Sequence, residues 1–410
     1  MSPPYKFFIA DDDRILIKRV AKYLEDAGHQ VSYDTSSVSA LEKIIEQKPD
    51  CVLLDIMMSE MDGFEVLKRL RAEPAMNNTR IVMISGKPYQ FDRKRAFGLG
   101  ADGYIIKPID MKKSFARLEW VIQDWIELTF WGVHGTLPVP SKLTTKYGGN
   151  TSCATLEFPR GDLWIFDAGT GIKLLSDHLV SINKPLERAK IFISHPHLDH
   201  INALPFFAPL YQEGNEIEIC GPIQGDTGVR EMISGQMDGV YFPIKIKEFS
   251  ASVSFRDLKE ESFDTDGVKI STMLLNHPGQ CLGYRVEYRG RKICYITDNE
   301  LPPESNPYHN QFYAENLENF VRESDALIMD ATYLDEEYPN KVGWGHSPIS
   351  QAVALAHRAR VLNLYLFHHD LEHTDADIDA KLETAQTLLK KHKSQTQCIA
   401  PKEKQTFKIF

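Results

Sequence analysis

The segment Ile191–Ile201, IFISHPHLDHI, narrows the possible folds more than any other stretch of the chain. Ile191–Ile193 is an apolar run that leads straight into His195, His197, Asp199 and His200. A short apolar run ending abruptly in polar side chains is how a buried strand delivers groups to the edge of a sheet. Neutral imidazoles suit zinc or iron, and a carboxylate adds charge to hold a second ion. His195 and His197 can clamp one ion from one side, while Asp199 and His200 point to a neighbouring position. The plain alternative is a solvated histidine-rich loop. Other strand ends argue against it. Leu275-Asn276 runs into His277, Lys292–Thr297 into Asp298, Ala326–Met329 into Asp330, and Leu362–Phe367 into His368, with His369 and Asp370 beside it. A lone histidine such as His277 is more often a core residue, but next to the central cluster it becomes a third ligand for the first metal. Asp298 can bridge two cations. Either His368 or His369 can ligate, and His373 is expected at the surface.

Two further motifs belong to this region. In IFDAGTGI, Asp167 follows a strand, and Gly169 and Gly171 make a turn that opens a helix. Asp167 is expected to orient a metal-binding histidine. In GWGHS, Gly343–Ser347, His346 precedes a helix over about Ile349–Ala359. It can donate a hydrogen bond or a proton to a leaving or non-bridging oxygen, with Asp330 to orient it; a helix-entry residue is the alternative. Trp344 and Tyr333 are candidates for the pocket wall. INALPFFAPLY is expected to be an apolar helix under the metal loop, and Phe242–Pro243, Lys247–Phe249 and Val268–Leu275 are expected strands of a second sheet.

The rest of the chain bounds the context. Its 410 residues suggest two or three domains, and 42% hydrophobic content is ample for packed cores. A formal net charge of -10 disfavours long nucleic acid as the main partner, since phosphate contacts need clustered Lys and Arg. The six cysteines, Cys51, Cys153, Cys220, Cys281, Cys294 and Cys398, lie far apart without a CxxC pair, which argues against a disulfide scaffold and against a structural zinc site. No leader pattern and no run of about 18 apolar residues occurs, so a cytoplasmic protein with no membrane contact is expected.

Before Glu127, apolar runs alternate with helical spacing: Tyr5–Ala10, Val31–Tyr33, Cys51–Leu54, Ile81–Ile84 and Tyr104–Ile106 as strands, with Arg14–Ala27, Val38–Gln47, Phe64–Arg71 and Met111–Glu127 as helices. That alternation implies a doubly wound, parallel five-stranded α/β sheet. Asp11, Asp12 and Asp13 end the first strand and Asp55 the third, so acids meet at the carboxyl edge, a natural seat for Mg²⁺. Ser85 and Lys107 end the fourth and fifth strands, a hydroxyl and an ammonium for a phosphoryl group. No flexible tether follows. The boundary is expected near residue 126, giving domains 1–126 and 127–410.

These motifs carry two resemblances. The N-terminal pattern over about Tyr5–Trp125 resembles the receiver domain of two-component response regulators. On that resemblance Asp55 is the phosphoacceptor, Asp11 and Asp12 hold Mg²⁺ with a backbone carbonyl near Met57, and Ser85, Tyr104 and Lys107 are the switch residues. A cognate sensor histidine kinase is the implied partner. The last receiver helix is either a dimer seam or a plain packing helix, and a homodimer is expected.

From about Phe130 onward, H-P-H-L-D-H is similar to the H-x-H-x-D-H signature of metallo-β-lactamase fold hydrolases. FWGVHGTLPVP, KYGGNTSC and GWGHS resemble the branch containing cyclic-phosphate phosphodiesterases and tRNA 3′-processing ribonucleases. The resemblance implies an αββα sandwich with His195, His197 and His277 on one metal, Asp199, His200 and His368 on the other, and Asp298 between them. Zinc is the first expectation for these two divalent ions, with iron or manganese also accepted. Asp199, Asp330 and His346 are the expected catalytic groups. Members often carry Arg where His134 stands. The implied function is a phosphorylation-regulated phosphodiesterase acting on a cyclic nucleotide or other small cyclic phosphate, with no DNA binding. The rivals are RNA 3′-end processing and a non-catalytic di-iron sensor of oxygen or nitric oxide.

Overall fold

The computed structural model describes residues 4–86, 89–182, 186, 188–240 and 242–410, with the side chains at 90, 113, 116 and 117 left aside. The backbone divides into two compact units. One holds Met1–Ile126 with Phe158–Gly161 and Phe410, the other Glu127–Glu157 and Asp162–Ile409.

In the first unit strands and helices alternate: β1 (Lys6–Ala10), α1 (Arg14–Asp26), β2 (Gln30–Asp34), α2 (Ser37–Gln47), β3 (Cys51–Asp55), α3 (Gly63–Ala72), β4 (Arg80–Ser85), α4 (Gln90–Gly98), β5 (Gly103–Ile106) and α5 (Met111–Gln123). The strands are parallel, in the order β2-β1-β3-β4-β5. Alternation along β1 feeds two helical layers. Phe8 and Ala10 join Ala40, Ile44 and Leu67 in one core, while Phe7 and Ile9 join Ile17, Leu24 and Leu118 in the other. With both faces covered, β3 is buried at every position, which is why CVLL is apolar throughout. The chain reverses its progress across the sheet between β1 and β3, so their carboxyl ends flank the crevice where such sheets bind ligands.

The second unit is built from β6 (Ile126–Gly132), β7 (Cys153–Glu157), β8 (Leu163–Phe166), α6 (Gly171–Ser181), β9 (Arg188–Phe192), α7 (Leu198–Ile201), β10 (Glu216–Pro222), α8 (Val229–Gly235), β11 (Ser252–Leu258), β12 (Ser262–Thr265), β13 (Val268–Leu275), β14 (Cys281–Tyr288), β15 (Arg291–Ile296), α9 (Gln311–Val321), β16 (Ala326–Asp330), α10 (Ile349–Arg358), β17 (Asn363–Phe367), α11 (Asp375–Lys391), β18 (Gln397–Ile399) and β19 (Thr406–Ile409). Two seven-stranded sheets result, β11-β10-β9-β8-β7-β6-β19 and β12-β13-β14-β15-β16-β17-β18. Aromatic side chains fill the space between them: Phe166 against Tyr295 at 5.3 Å, Phe192 against Tyr284 at 5.4 Å, and Phe130 against Tyr365 at 5.4 Å between ring centres. Truncating one of these to alanine costs about 3–5 kcal/mol in a packed core. Ile172, Leu175 and Leu179 of α6 cover the first sheet from outside; Leu317, Val353 and Leu389, from α9, α10 and α11, cover the second. The expected αββα sandwich is the architecture found. The six cysteines are all buried and unpaired. Among the described residues, no helix is long and apolar enough to cross a membrane.

Some local expectations fail. INALPFFAPLY is not one helix. After the single turn α7, the chain makes two 3-10 turns, Leu204–Phe206 and Ala208–Tyr211. Pro205 and Pro209 each sit at the start of a turn, where their missing N–H is tolerated, and neither can continue an α-helix. Phe242–Pro243 is irregular, and a 3-10 turn, Ile246–Glu248, stands where the strand Lys247–Phe249 was expected. The strand that follows, Ser252–Leu258, pairs with β10 and belongs to the first sheet, not the second.

Candidate active site

The ligand-type side chains converge because the parallel strands of both sheets end at one edge. β9 ends two residues before Ser194, so His195 and His197 leave the edge and α7 turns Asp199 and His200 back. β13 delivers His277, β15 Asp298, β16 Asp330 and β17 His368. Asp167, Asp298 and His368, each directly or closely after its strand, have φ values of 61, 44 and 60°. Left-handed backbone is unusual for residues with a Cβ and clusters at functional sites. Here it turns each side chain out of the pleat into the shared space.

His195, His197 and His277 each offer a ring nitrogen within 4.8 Å of the others, and Asp199, His200 and His368 form a second such group. Asp298 lies between. Its Oδ1 is 3.7 Å from His195 Nε2 and 3.9 Å from His277 Nε2, and its Oδ2 is 3.1 Å from His200 Nε2 and 3.2 Å from His368 Nε2. Hydrogen bonding fixes which nitrogens carry lone pairs. His277 Nδ1 donates to the Gly345 carbonyl at 3.0 Å, and His200 Nδ1 to Asp167 Oδ2 at 2.7 Å. Their Nε2 atoms therefore face the centre unprotonated when the rings are neutral. His277 Nε2 lies 3.2 Å from His197 Nδ1, and His200 Nε2 lies 3.3 Å from His368 Nε2. Among the described residues, the buried His195 Nε2 has no hydrogen-bond partner. Lone pairs aimed at one another beside a carboxylate, with an orphaned nitrogen among them, fit divalent cations of the zinc class. Oxygen-rich sites for calcium or magnesium look different.

The charges agree with that reading. Burial holds His195 well below its usual value and lowers His197 and His277, so these imidazoles are neutral, the ligating form. His200 behaves oppositely. Burial would lower it, but Asp199, Asp298 and Asp167 together hold it well above its ordinary value. Three carboxylates around one ring demand positive charge there.

Asp167 is the hub behind the ligands. Fully buried, it accepts from Ser194 N at 2.7 Å, Ser194 Oγ at 2.9 Å, His200 Nδ1 at 2.7 Å and Tyr295 Oη at 2.8 Å. Asp167→Asn keeps the volume and loses the charge. It is expected to weaken metal retention about 10- to 100-fold, read by competition with a chelator. Asp167→Ala also leaves buried donors unmatched and is expected to lower unfolding free energy by about 3–5 kcal/mol in a denaturant titration.

A second constellation borders the first. His346 Nδ1 is 2.7 Å from Asp330 Oδ2, and its ring stacks on His368 with centres 4.8 Å apart. Burial would lower His346, but Asp330 outweighs it and raises the imidazole to about 9. Asp330 is itself held by Asn299 N at 3.0 Å and by Thr332 through N at 3.0 Å and Oγ1 at 2.8 Å. The loop carrying His346 is fixed by Glu300, which the sequence reading did not single out. Glu300 accepts from Tyr338 Oη at 2.7 Å, Gly343 N at 2.8 Å and Gly345 N at 2.9 Å. Its only sequence signal was a carboxylate two residues beyond Asp298. Gly345, at φ 87°, must be glycine: a Cβ there would lie 2.2 Å from His277 Nδ1.

The structure also sorts the neighbours. His368, not His369, joins the ligand group. His369 points away beside His134, with ring centres 5.8 Å apart and both rings fully buried. Burial lowers His134 to about 4. A fully buried His134 cannot meet a substrate phosphate. His373 is not a surface residue: it is 5% exposed and bonded through Nε2 to Glu337 at 2.9 Å. Lys381, missed altogether, is fully buried and donates to the carbonyls of Ala331 and Thr332. Burial lowers it to about 7.

The first unit has its own cluster. Lys107 Nζ sits 2.9 Å from Asp11 Oδ2 and 3.0 Å from Asp55 Oδ1. Burial raises Asp55, and the Asp11 carboxylate adds to that against the pull of Lys107. Two buried carboxylates on one ammonium, with exposed Asp12 adjacent, leave a surplus of negative charge suited to Mg²⁺. Met57 N donates to Asp55 Oδ2 at 3.1 Å, which places Met57 at the same edge. Ser85 is buried at the end of β4, and Tyr104 is half-buried on β5. The third aspartate has a different task. Asp13 caps α1, accepting from Ile15 N at 2.8 Å and Leu16 N at 3.1 Å.

Comparison with known proteins matches the same two regions. Residues 7–119 match the response regulator receiver domain, and residues 164–369 match the beta-lactamase superfamily domain. Ribonuclease Z of Oceanobacillus iheyensis is 25% identical over 311 residues, covering 64% of this chain and 95% of that protein. The alkaline phosphatase synthesis transcriptional regulatory protein PhoP of Bacillus subtilis is 32% identical over 118 residues, 29% of this chain and 48% of that protein. The chain thus spans about half the length of that regulator. The metallo-beta-lactamase fold protein YhfI from Bacillus subtilis superposes with a TM-score of 0.50 at 16% identity, covering 70% of this chain and all of that one, a likeness of fold.

Proposed function

Since the chain belongs to the beta-lactamase superfamily and joins that domain to a response regulator receiver domain, we propose that it is a response regulator whose output is a binuclear metal-dependent phosphodiesterase. The receiver is assigned to residues 1–126 and the hydrolase to 127–410. One observation carries the reading: the His346–Asp330 pair, bonded at 2.7 Å, stands at the rim of a two-centre ligand set. Hydrolysis of a phosphodiester needs positive charge on the phosphoryl oxygens, an attacking water, and a proton for the departing oxygen.

His195, His197 and His277 would hold one ion and Asp199, His200 and His368 the other, with the Asp298 carboxylate between the two groups. Bound there, two divalent cations supply Lewis acidity and an activated water at neutral pH. The remaining step belongs to the protein. Water oxygen bonds to phosphorus and releases a proton to solvent, the ester P–O bond breaks, and His346 passes its Nε2 proton to the departing oxygen. Asp330 holds the imidazole through Nδ1, so that Nε2 faces the substrate. Zinc is the first choice of metal, with iron or manganese also compatible with the donor set.

A cyclic nucleotide or other small cyclic phosphate is the favoured substrate class, because a net charge of -10 is poorly suited to long nucleic acid. The similarity to ribonuclease Z favours a second reading, RNA 3′-end processing, on the same chemistry. The test is hydrolysis of bis(p-nitrophenyl) phosphate by metal-analysed protein. Turnover that disappears in Asp199→Ala supports the reading. No turnover with two metals bound per chain shifts weight to a di-iron sensor.

Regulation enters through Asp55, with a sensor histidine kinase as donor, and the setting is a homodimer in the cytoplasm. Treatment with a small phosphodonor such as acetyl phosphate is expected to phosphorylate the chain and change its hydrolytic rate. Asp55→Ala is expected to show neither effect by mass spectrometry and assay. An equal response in the variant removes Asp55 from the scheme.

A further inference from the structure

Trp344 stands two residues before His346 and is 57% exposed, an unusual amount for the largest apolar side chain. It is not loosely held. Its backbone N donates to the Lys341 carbonyl at 3.1 Å, and Glu300 pins the amides of Gly343 and Gly345 on either side. The Lys341 ammonium lies 4.4 Å from the centre of the Trp344 ring and 5.5 Å from that of Tyr333. Tyr333, buried, meets His346 edge-on at 5.9 Å. A continuous wall therefore runs outward from the proton donor: His346, Tyr333, Lys341, Trp344. A cation over one face of an indole braces the ring and leaves the opposite face to solvent.

We propose that Trp344 is the stacking platform for the base of a nucleoside phosphodiester, with Lys341 as the positioning residue that braces the indole. The proposal rests on the phosphodiesterase reading and narrows its substrate to nucleotides. A rigid aromatic face beside a phosphoryl site suits a nucleobase, since every base presents a π-face and stacking tolerates any sequence. The platform serves a cyclic nucleotide and the end of an RNA alike, so substrate length is an outcome of the test.

The experiment uses the full, metal-loaded chain and two esters with the same scissile bond and leaving group, thymidine 5′-p-nitrophenyl phosphate and methyl p-nitrophenyl phosphate. The readout is the ratio of their kcat/KM values. Trp344→Ala is expected to reduce the preference for the thymidine ester by roughly 5- to 150-fold, mainly through KM, and Trp344→Phe to restore most of it. Calorimetric binding of thymidine 5′-monophosphate against methyl phosphate is expected to lose the same preference. A preference that survives in Trp344→Ala, including one where both esters decline in parallel, overturns the proposal. Selective nucleotide binding without hydrolysis of either ester instead overturns the phosphodiesterase reading and leaves the platform standing.

Discussion

Asp298→Ala is expected to lower phosphodiester hydrolysis by about 10³-fold or more and to reduce bound metal from two equivalents to one or none, because a metal pair supplies several kcal/mol of transition-state stabilisation. The size follows from position. Asp298 is the carboxylate whose two oxygens approach ligand nitrogens of both groups, at 3.1–3.9 Å. Other substitutions in the cluster weaken one centre first; this one weakens both. Burial would raise the Asp298 acid, but His200 and His368 outweigh it and hold the group far below its usual range, so it is ionised at any working pH. Asp298→Asn separates charge from shape. Asn tolerates the left-handed backbone found there, so loss of metal in that variant reports charge rather than misfolding. Elemental analysis and a rate assay on the same preparation check it. Two retained metals with full turnover in Asp298→Ala would falsify the bridging assignment.

His346→Ala is expected to reduce kcat about 10²- to 10⁴-fold on esters with poor leaving groups, the range of a positioned proton donor. Both metals are expected to remain. The loss should shrink sharply on p-nitrophenyl esters, whose leaving oxygen needs no proton. Asp330→Asn is expected to produce the same pattern with a smaller loss, and the double variant little more than His346→Ala alone, since residues acting as a unit are not additive. A uniform loss on every leaving group would instead mark His346 as a metal-supporting group. That alternative is real chemistry, because His346 lies within 4.8 Å ligand distance of His277 and Asp298.

Much of this site was legible because its groups follow apolar strand runs, and a run that stops at a polar residue is a local signal. His195, His277, Asp298 and His368 could all be found that way. Choosing His368 over its neighbour was harder. Both follow β17, and only the left-handed turn at His368 decides which ring enters the cluster. The buried positions of His369, His373 and Lys381 left no local trace, because their burial depends on α11 and on loops distant in sequence. Glu300 was invisible for the same reason: its partners lie about 40 residues away. Asp13 is a different failure. An aspartate just before helical spacing is a cap signal, obscured here by the two acids preceding it. The 3-10 turns under the metal loop were misread because apolar content was weighed above Pro205 and Pro209.

The left-handed backbone at Asp298 and His368 sets function and durability against each other. Each such residue stores about 1–3 kcal/mol that glycine would not. The relaxed sequence at these strand ends is therefore an inactive one, and substitutions that silence the domain can make it harder to unfold. A copy released from its task has a downhill route to becoming a sturdy, silent scaffold, so thermal robustness in a variant of this chain is no sign that its chemistry survives.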